Sequence, residues 1–374
     1  MSEEKLVPKL RFSGFDDEWK TYKLKDLLHN KSSSISINQL DDNVGNYPLY
    51  GASGFLKCID FYEMDSDYIS IVKDGSGVGN ISFHEKNTSV VNTSQYILPK
   101  ENLNIHFIFY LLQTINLNKY KTGSTIPHIY FKDYSIEKVK IPKYDEQKKI
   151  GILLKNLDAK IEILDNKLQM CQNFKKYLMQ QIFTQKLRFN FDDEWKQYKL
   201  KDVLTVKSSS ISINQLEENT GDYPLYGASG FLKNIDFCEM DVDYISIVKD
   251  GSGVGNLSFH EKNSSIVNTS QYLLPKKNFN INFLYYLLQT INLMKYVNGS
   301  SIPHIYFKDY CIEKINIPSL DEQEKIGKLF VDVDITMENL NKNINATQEF
   351  KKGLLQQMFV VQLILSLLQN KKHI

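Results

Sequence analysis

KDGSGVGN stands at residues 73–80 and again, unchanged, at 249–256. Met once, a run of three glycines invites a phosphate-cradle reading. Met twice, 176 residues apart, it shows a chain built from two copies of one unit. The duplication widens on both sides of the loop. SSSISINQL recurs at 32–40 and 208–216, and YPLYGASGFLK at 47–57 and 223–233. NTSQY recurs at 92–96 and 268–272, and HIYFKDY at 128–134 and 304–310, all at the same offset. Only near the start does the offset become 177, where LRFSGFDDEW (10–19) carries one residue more than LRFNFDDEW (187–195). Solenoid repeats run to about 20–50 residues, so each unit of this chain is a whole domain with an appendage. Two near-equal domains in one chain tend to sit about an approximate two-fold axis, as a homodimer would.

The composition is that of a folded protein: 42% apolar and 24% charged residues over 374 positions. A formal charge of +1 excludes a polycation that coats nucleic acid unaided. Any such contact must come from a local basic surface or be shared with a partner. Cys58, Cys171, Cys238 and Cys311 form no CxxC and no close pair, which predicts a reduced cytoplasmic setting without disulfide or zinc. MSEEKLVPKL has no signal-peptide core. FVVQLILSLL (359–368) falls short of the roughly 20 residues a membrane helix needs. It reads as a buried or partner-facing tail.

Within one unit, residues 20–141 read as mixed α and β. DYISIVK (67–73) and NISFHE (80–85) are predicted strands on either side of the glycine loop. SVVNTSQYILP (89–99) reads as a further strand with a polar middle, and NIHFIFYLLQTINLNKY (104–120) as a helix. SIEKVKIP (135–142) is a last strand, ended by Pro142. A long helix follows, with Asp145 as N-cap and Glu146 adding negative charge to its first turn.

That helix carries a heptad. Ile150, Leu157, Leu164, Cys171 and Leu178 form one series; Leu154, Ile161, Leu168, Lys175 and Ile182 form the other. The second copy repeats it with Ile326, Val333, Leu340, Thr347 and Leu354, then Phe330, Met337, Ile344, Lys351 and Met358. Five heptads predict a coiled coil, against the plainer alternative of a helix packed on its own domain. A helix of about 58 Å would overhang a domain whose radius of gyration is about 14 Å. Two such helices paired antiparallel would act as a spacer.

Catalytic motifs are missing from the sequence. The loop is GxGxG before a strand, not GxGxxG before a helix, so a tight turn using glycine for positive φ is the favoured reading. NYPLY (46–50) departs from the Asn-Pro-Pro-Tyr of amino-methyltransferases, since Tyr47 follows Asn46. His84, His260, His128 and His304 have no second ligand at metal spacing.

PHIYFKDYSIEKVKIPKYDEQKKI (127–150) and PHIYFKDYCIEKINIPSLDEQEKI (303–326) resemble the specificity subunit of type I restriction–modification enzymes. LRF…EW before each domain adds to this, as do FKKYLMQQIF (174–183) and FKKGLLQQMF (350–359) at the helix ends, so the resemblance spans nearly the whole chain. It implies an α+β fold: two similar mixed α/β target-recognition domains, separated by two long helices in an antiparallel coiled coil with pseudo-two-fold symmetry. The expected boundaries are 1–144 and 186–320 for the domains, 145–185 and 321–359 for the helices, and 360–374 for the apolar tail. After Phe359 the second copy loses the TQKLRF wording of 184–189, which leaves the tail's contacts open.

The family further implies double-stranded DNA as a partner, two methyltransferase subunits docked on the helices, and restriction subunits joined through the complex. S-adenosylmethionine, Mg and ATP would belong to those partners. This cytoplasmic chain would bind no cofactor, no metal and no membrane, and would catalyse nothing. A coiled-coil scaffold binding protein only, or a nucleotide-binding enzyme, are the rival readings.

Since the two domains are near copies, the resemblance predicts an interrupted palindrome as target. Arg11 and Arg188 are the only arginines and lie at repeat boundaries, so base reading falls to Lys, Asn, Gln, Ser and Thr. The expected DNA-facing residues are Lys73, Ser76, Asn92, Thr93, Ser94, Gln95, Tyr96, Ser124, Thr125 and His128. Their counterparts are Lys249, Ser252, Asn268, Thr269, Ser270, Gln271, Tyr272, Ser300, Ser301 and His304. Gln95, Gln271, Asn92 and Asn268 suit adenine edges, while Lys73 and Lys249 suit phosphate or guanine. Ordinary turn chemistry is the alternative for each.

Overall fold

The structure, a computed structural model, describes residues 7–40, 43–216, 220–299 and 301–359. The first repeat runs β1 (Lys20–Lys23), α1 (Leu24–Leu27), β2 (Leu28–Ser32), β3 (Tyr47–Gly51), β4 (Gly54–Ile59), β5 (Tyr68–Val72) and β6 (Ile81–His84). It continues with β7 (Ser89–Val90), β8 (Ser94–Pro99), α2 (Ile105–Gln113), α3 (Phe131–Tyr134), β9 (Lys138–Ile141) and α4 (Tyr144–Phe183). The second repeat follows the same order. It runs β10 (Lys196–Lys199), α5 (Leu200–Val203), β11 (Leu204–Ser208), β12 (Tyr223–Gly227), β13 (Gly230–Ile235), β14 (Tyr244–Val248) and β15 (Leu257–His260). It ends with β16 (Ser265–Ile266), β17 (Ser270–Pro275), α6 (Ile281–Gln289), α7 (Phe307–Tyr310), β18 (Lys314–Ile317) and α8 (Leu320–Phe359).

Each repeat forms three sheets. The largest has strand order β2-β8-β5-β6, antiparallel throughout; β5 is buried along its whole length between α2 and the opposite face. Phe107, Ile108 and Leu111 of α2 share one core with Ile69, Ile71 and Ile97 of that sheet. A smaller sheet, β4-β3-β7, packs its own cluster around Leu49, Ile59 and Val91. The pair β1-β9 joins the two ends of the domain where the long helix begins.

Two elements are shorter than the sequence predicts. The helix expected over 104–120 ends at Gln113, and a 3-10 turn, Leu117–Tyr120, follows. The same break occurs in both copies, where the backbone tightens through bonds from Ile115 N to Leu112 O and from Ile291 N to Leu288 O. In the first copy Asn116 also caps the new turn by accepting from the Asn118 N–H, a bond Asn292 does not make. The strand expected over 89–99 is two strands, since β7 runs parallel to β3 while β8 belongs to the large sheet. Asn92 and Thr93 make the crossing. The long helices also begin one residue early, at Tyr144 and Leu320, with Lys143 O accepting from Glu146 and Gln147. Asp145 is thus a first-turn residue and not the cap.

The chain divides into two compact units, Met1–Asp165 with Asn343–Ile374, and Asn166–Lys342. Each unit therefore takes in half of α4 and half of α8, which pack together antiparallel. In the first unit Ile150 and Leu154 of α4 share a buried cluster with Leu354, Met358 and Phe359 of α8. In the second, Leu178 and Ile182 share one with Ile326 and Phe330. Every heptad residue named above is buried or half-buried. The lysine that interrupts each series has its own partner: Lys175 reaches Asp334 at 2.6 Å and lies 4.9 Å over the Tyr286 ring. Lys351 meets Asp158 and the Tyr110 ring in the same way. At 40 residues each, the helices run about 60 Å. The apolar tail 360–374 lies outside the described residues.

Candidate nucleic-acid interface

The three segments singled out in the sequence meet at one place in each domain. Lys73 N and Asp74 N both donate to Thr93 O, at 2.8 and 3.2 Å, which ties the glycine loop to NTSQY. Gly75 N donates to Pro127 O at 3.0 Å and Ile129 N to Lys73 O at 2.9 Å, which ties it to GSTIPH. The second domain repeats this stitching through Thr269, Pro303 and Lys249, each bond within 0.2 Å of its counterpart. Gly75, Gly77 and Gly79 have φ of +80°, +85° and +89°, a backbone that L side chains rarely adopt. Such a loop is a turn between β5 and β6 held from two sides.

Not all the predicted residues reach the surface. Ser76, Asn92, Ser124 and Thr125 are exposed, and so are Ser252, Asn268, Thr269 and Ser301. Thr93 and His128 are half-buried, as is His304. Ser300 lies outside the described residues. Ser94, Ser270, Tyr96 and Tyr272 are buried, and both tyrosine hydroxyls donate at 2.7 Å to carboxylates, Glu63 and Glu239. Burial works against ionised Glu63, yet hydrogen bonds from Ser34, Tyr96 and Ser33 outweigh it and hold its pKa below the ordinary value. These tyrosines are pillars beneath the loops.

Gln95 is also enclosed, at 3% exposure, and donates to the Tyr134 hydroxyl at 2.8 Å. Gln271 is half-buried and donates to Ser208 Oγ at 3.2 Å. Lys73 and Lys249 are each paired with the aspartate that follows, Asp74 and Asp250. His128 Nδ1 lies 2.7 Å from Asp74 Oδ1. The sequence reading overlooked these aspartates, although each adjoins its lysine in both copies. Each lowers the net positive charge that its loop offers.

Arg11 and Arg188 are occupied elsewhere. Arg11 Nε and Nη2 donate to the two oxygens of Glu146 at 2.7 and 2.8 Å, and Glu146 is 1% exposed. Arg188 holds Glu322 likewise at 3.1 and 2.7 Å. Hydrogen bonding to the carboxylate raises the pKa of both guanidinium groups. The next residue completes the clamp: Gln147 accepts from Asn104 N and donates to Pro142 O, both at 3.0 Å. LRF and DEQ are thus two halves of one device that fixes the domain to the start of its helix. Their joint repetition in the sequence was the available signal.

Among the described residues no group of three or more His, Cys, Asp or Glu is arranged to hold a metal ion, and no helix is long and apolar enough to cross a membrane. What the geometry offers is a polar, loop-built surface on a rigid base, presented twice.

A family model described as "Type I restriction modification DNA specificity domain" matches residues 16–171 and again 192–348. The chain belongs to that family. Its two matched segments are target-recognition domains, each with its share of the packed helices. A type I specificity subunit provisionally named in Mycoplasma pneumoniae is 24% identical over 357 residues, covering 90% of this chain and 95% of that one. The MjaVIII specificity subunit of Methanocaldococcus jannaschii is 21% identical over 392 residues, 91% of each chain. In fold, the S subunit of a type I system from M. genitalium superposes with a TM-score of 0.76 at 19% identity, covering 94% of this chain and 99% of that one.

Proposed function

We propose that this chain is the DNA-reading subunit of a type I restriction–modification complex, and that its two domains read the two halves of an interrupted palindrome. The observation that carries the proposal is the doubled loop surface: identical segments, stitched by the same hydrogen bonds, in each domain. Matching surfaces favour matching half-sites. The exposed side chains Ser76, Asn92 and Thr125, with Ser252, Asn268 and Ser301, are the first candidates for base edges. Gln95 can join them only by leaving Tyr134, a rotation that Gln271 has already made toward Ser208. Lys73 and Lys249 serve phosphate, with their aspartates limiting the attraction.

The chain itself carries no catalytic step. Two methyltransferase subunits dock on the paired helices, bring S-adenosylmethionine, and methylate adenine; restriction subunits join through them with Mg and ATP. The helices set the spacing between half-sites. Co-expression with a methyltransferase subunit, followed by mapping of methylated adenines, tests this. An inverted repeat with an unread centre is expected, whereas two unrelated half-sites would overturn the palindrome. Methylation without sequence preference would favour a protein-binding scaffold instead.

A further inference from the structure

The two proposed reading surfaces differ in charge at one place. Over the turn at Gly79, the first domain holds a cation. The Lys121 Cε lies 3.4 Å, and its Nζ 3.9 Å, from where a Cβ on Gly79 would sit. Over the matching turn at Gly255, the second domain holds the thioether of Met294, its sulfur 3.5 Å from the equivalent point. Two substitutions make the exchange: Asn118 and Lys121 in one copy stand where Met294 and Val297 stand in the other.

The other lysines of the converging loops are neutralised in both domains. Lys73 pairs with Asp74 and Lys119 with Glu137; Lys249 pairs with Asp250 and Lys295 with Glu313. Among the described residues Lys121 has no carboxylate within 4 Å, and it is exposed. It borders a cavity of 340 Å³ that it shares with Gly79, Asn80, Asn116 and Asn118. An unpaired ammonium beside a glycine turn and three amide side chains is suited to a phosphate oxygen. A thioether is not.

We infer that the two domains read the same bases with unequal grip, the first making one DNA phosphate contact through Lys121 that the second lacks. This rests on the DNA-reading function proposed above. The target is then symmetric in sequence while the complex on it is asymmetric in strength. Sequence discrimination is shared equally, and ionic attraction is not.

The test uses the full chain assembled with its methyltransferase subunits, on duplex carrying the mapped site and on a scrambled duplex, across a salt series. Lys121→Val should weaken binding to both duplexes by a similar factor and reduce the slope of log affinity against log salt by about 0.9. The double variant Met294→Asn, Val297→Lys should raise that slope by about the same amount and tighten binding. Unchanged slopes in both variants would overturn the inference. So would a Lys121→Val that loses discrimination between the duplexes, since Lys121 would then be reading a base. A wild-type complex that binds both duplexes equally would overturn the functional proposal itself, and this inference with it. Matching melting temperatures of variants and wild type show that the fold is intact.

Discussion

The clamp and the proposed reading face were duplicated together, yet they have fared differently. At the clamp, Arg11–Glu146 and Arg188–Glu322 keep the same bidentate pairing, and Gln147 and Gln323 make the same two bonds to within 0.1 Å. At the face, identical residues go separate ways. Gln95 turns in to Tyr134 while Gln271 turns to Ser208; His128 meets Asp74 while His304 lies 3.3 Å from Ile302 O. The difference has a physical cause. A buried ion pair has no low-cost alternative, because a lone charge out of water is expensive. A polar side chain at a wet surface can exchange one partner for another at little cost. The scaffold is therefore fixed by sequence, and the face is left adjustable.

The sharpest way to break this comparison is to break the clamp. Glu146→Ala strands the Arg11 guanidinium at 13% exposure, and should destabilise the protein by about 3–5 kcal/mol. Glu322→Ala should cost less, because the Arg188 guanidinium it strands is more exposed, at 24%, and keeps its bond to Asp193 O. Thermal or denaturant unfolding of the full chain measures both. If one variant melts early and the other like wild type, the clamps are not equivalent.

Acid should act on one matched pair of histidines in both domains. Burial lowers the pKa of His84 and of His260 to about 4, and each ring nitrogen lies 2.9 Å from a buried serine hydroxyl. The sign follows from the depressed folded-state pKa. The stabilisation is fully present above the unfolded value of about 6.5 and is lost as pH falls from there toward 4. Each histidine accounts for about 3 kcal/mol across that window. Measured from pH 7 to pH 4, His84→Gln and His260→Gln should each remove an equal share of the acid loss. The remainder belongs to His106 and to carboxylates such as Glu63 and Glu239, whose folded pKa values are also lowered. An acid loss unaffected by either variant would place the titrating groups elsewhere.

Much of this scaffold was legible in the sequence. The repeat, the heptad and its lysine positions follow from offsets and spacing, since a coiled coil leaves few choices at its seam. The clamp was half legible: Arg11 and Glu146 stand in repeated motifs, but 135 residues separate them and nothing local says that they touch. The break after Gln113 was not read, because the apolar spacing runs on past it while the backbone tightens into a 3-10 turn. The loops proposed to read DNA stand out by type, as polar segments with glycine. Which of their residues face outward was not, since NTSQY looks uniformly polar and yet buries Ser94, Gln95 and Tyr96.

Gly151 and Gly327 test how closely the two clamps match. Each lets α2 or α6 press its first turn against the long helix. A Cβ at Gly151 would lie 2.5 Å from Asn104 Oδ1 and 2.9 Å from Phe107 N, whereas at Gly327 the nearest atoms are at 2.9 and 3.0 Å. Alanine gains up to about 1 kcal/mol of helix propensity over glycine, which offsets part of the clash. Gly151→Ala should therefore destabilise by about 1–3 kcal/mol, and Gly327→Ala by about 1 kcal/mol less. The reverse order in unfolding measurements would mean that the first domain, not the second, has room to shift.

The smallest effect bears most directly on the face. Gln95→Ala removes the partner of the Tyr134 hydroxyl, which is buried at 0% exposure, and should cost about 1–2 kcal/mol. Gln271→Ala should cost much less. Among the described residues, Gln271 Oε1 and the Tyr310 hydroxyl are buried without a hydrogen-bond partner, so its removal takes away one unsatisfied atom and creates no new one. DNA binding should rank the pair the other way, since Gln271 Nε2, held only by an exposed serine, can approach a base without first giving up a buried bond. If both glutamines cost the same in stability and in binding, their two positions are interchangeable in solution, and the adjustable face reduces to one side chain rotating between two partners.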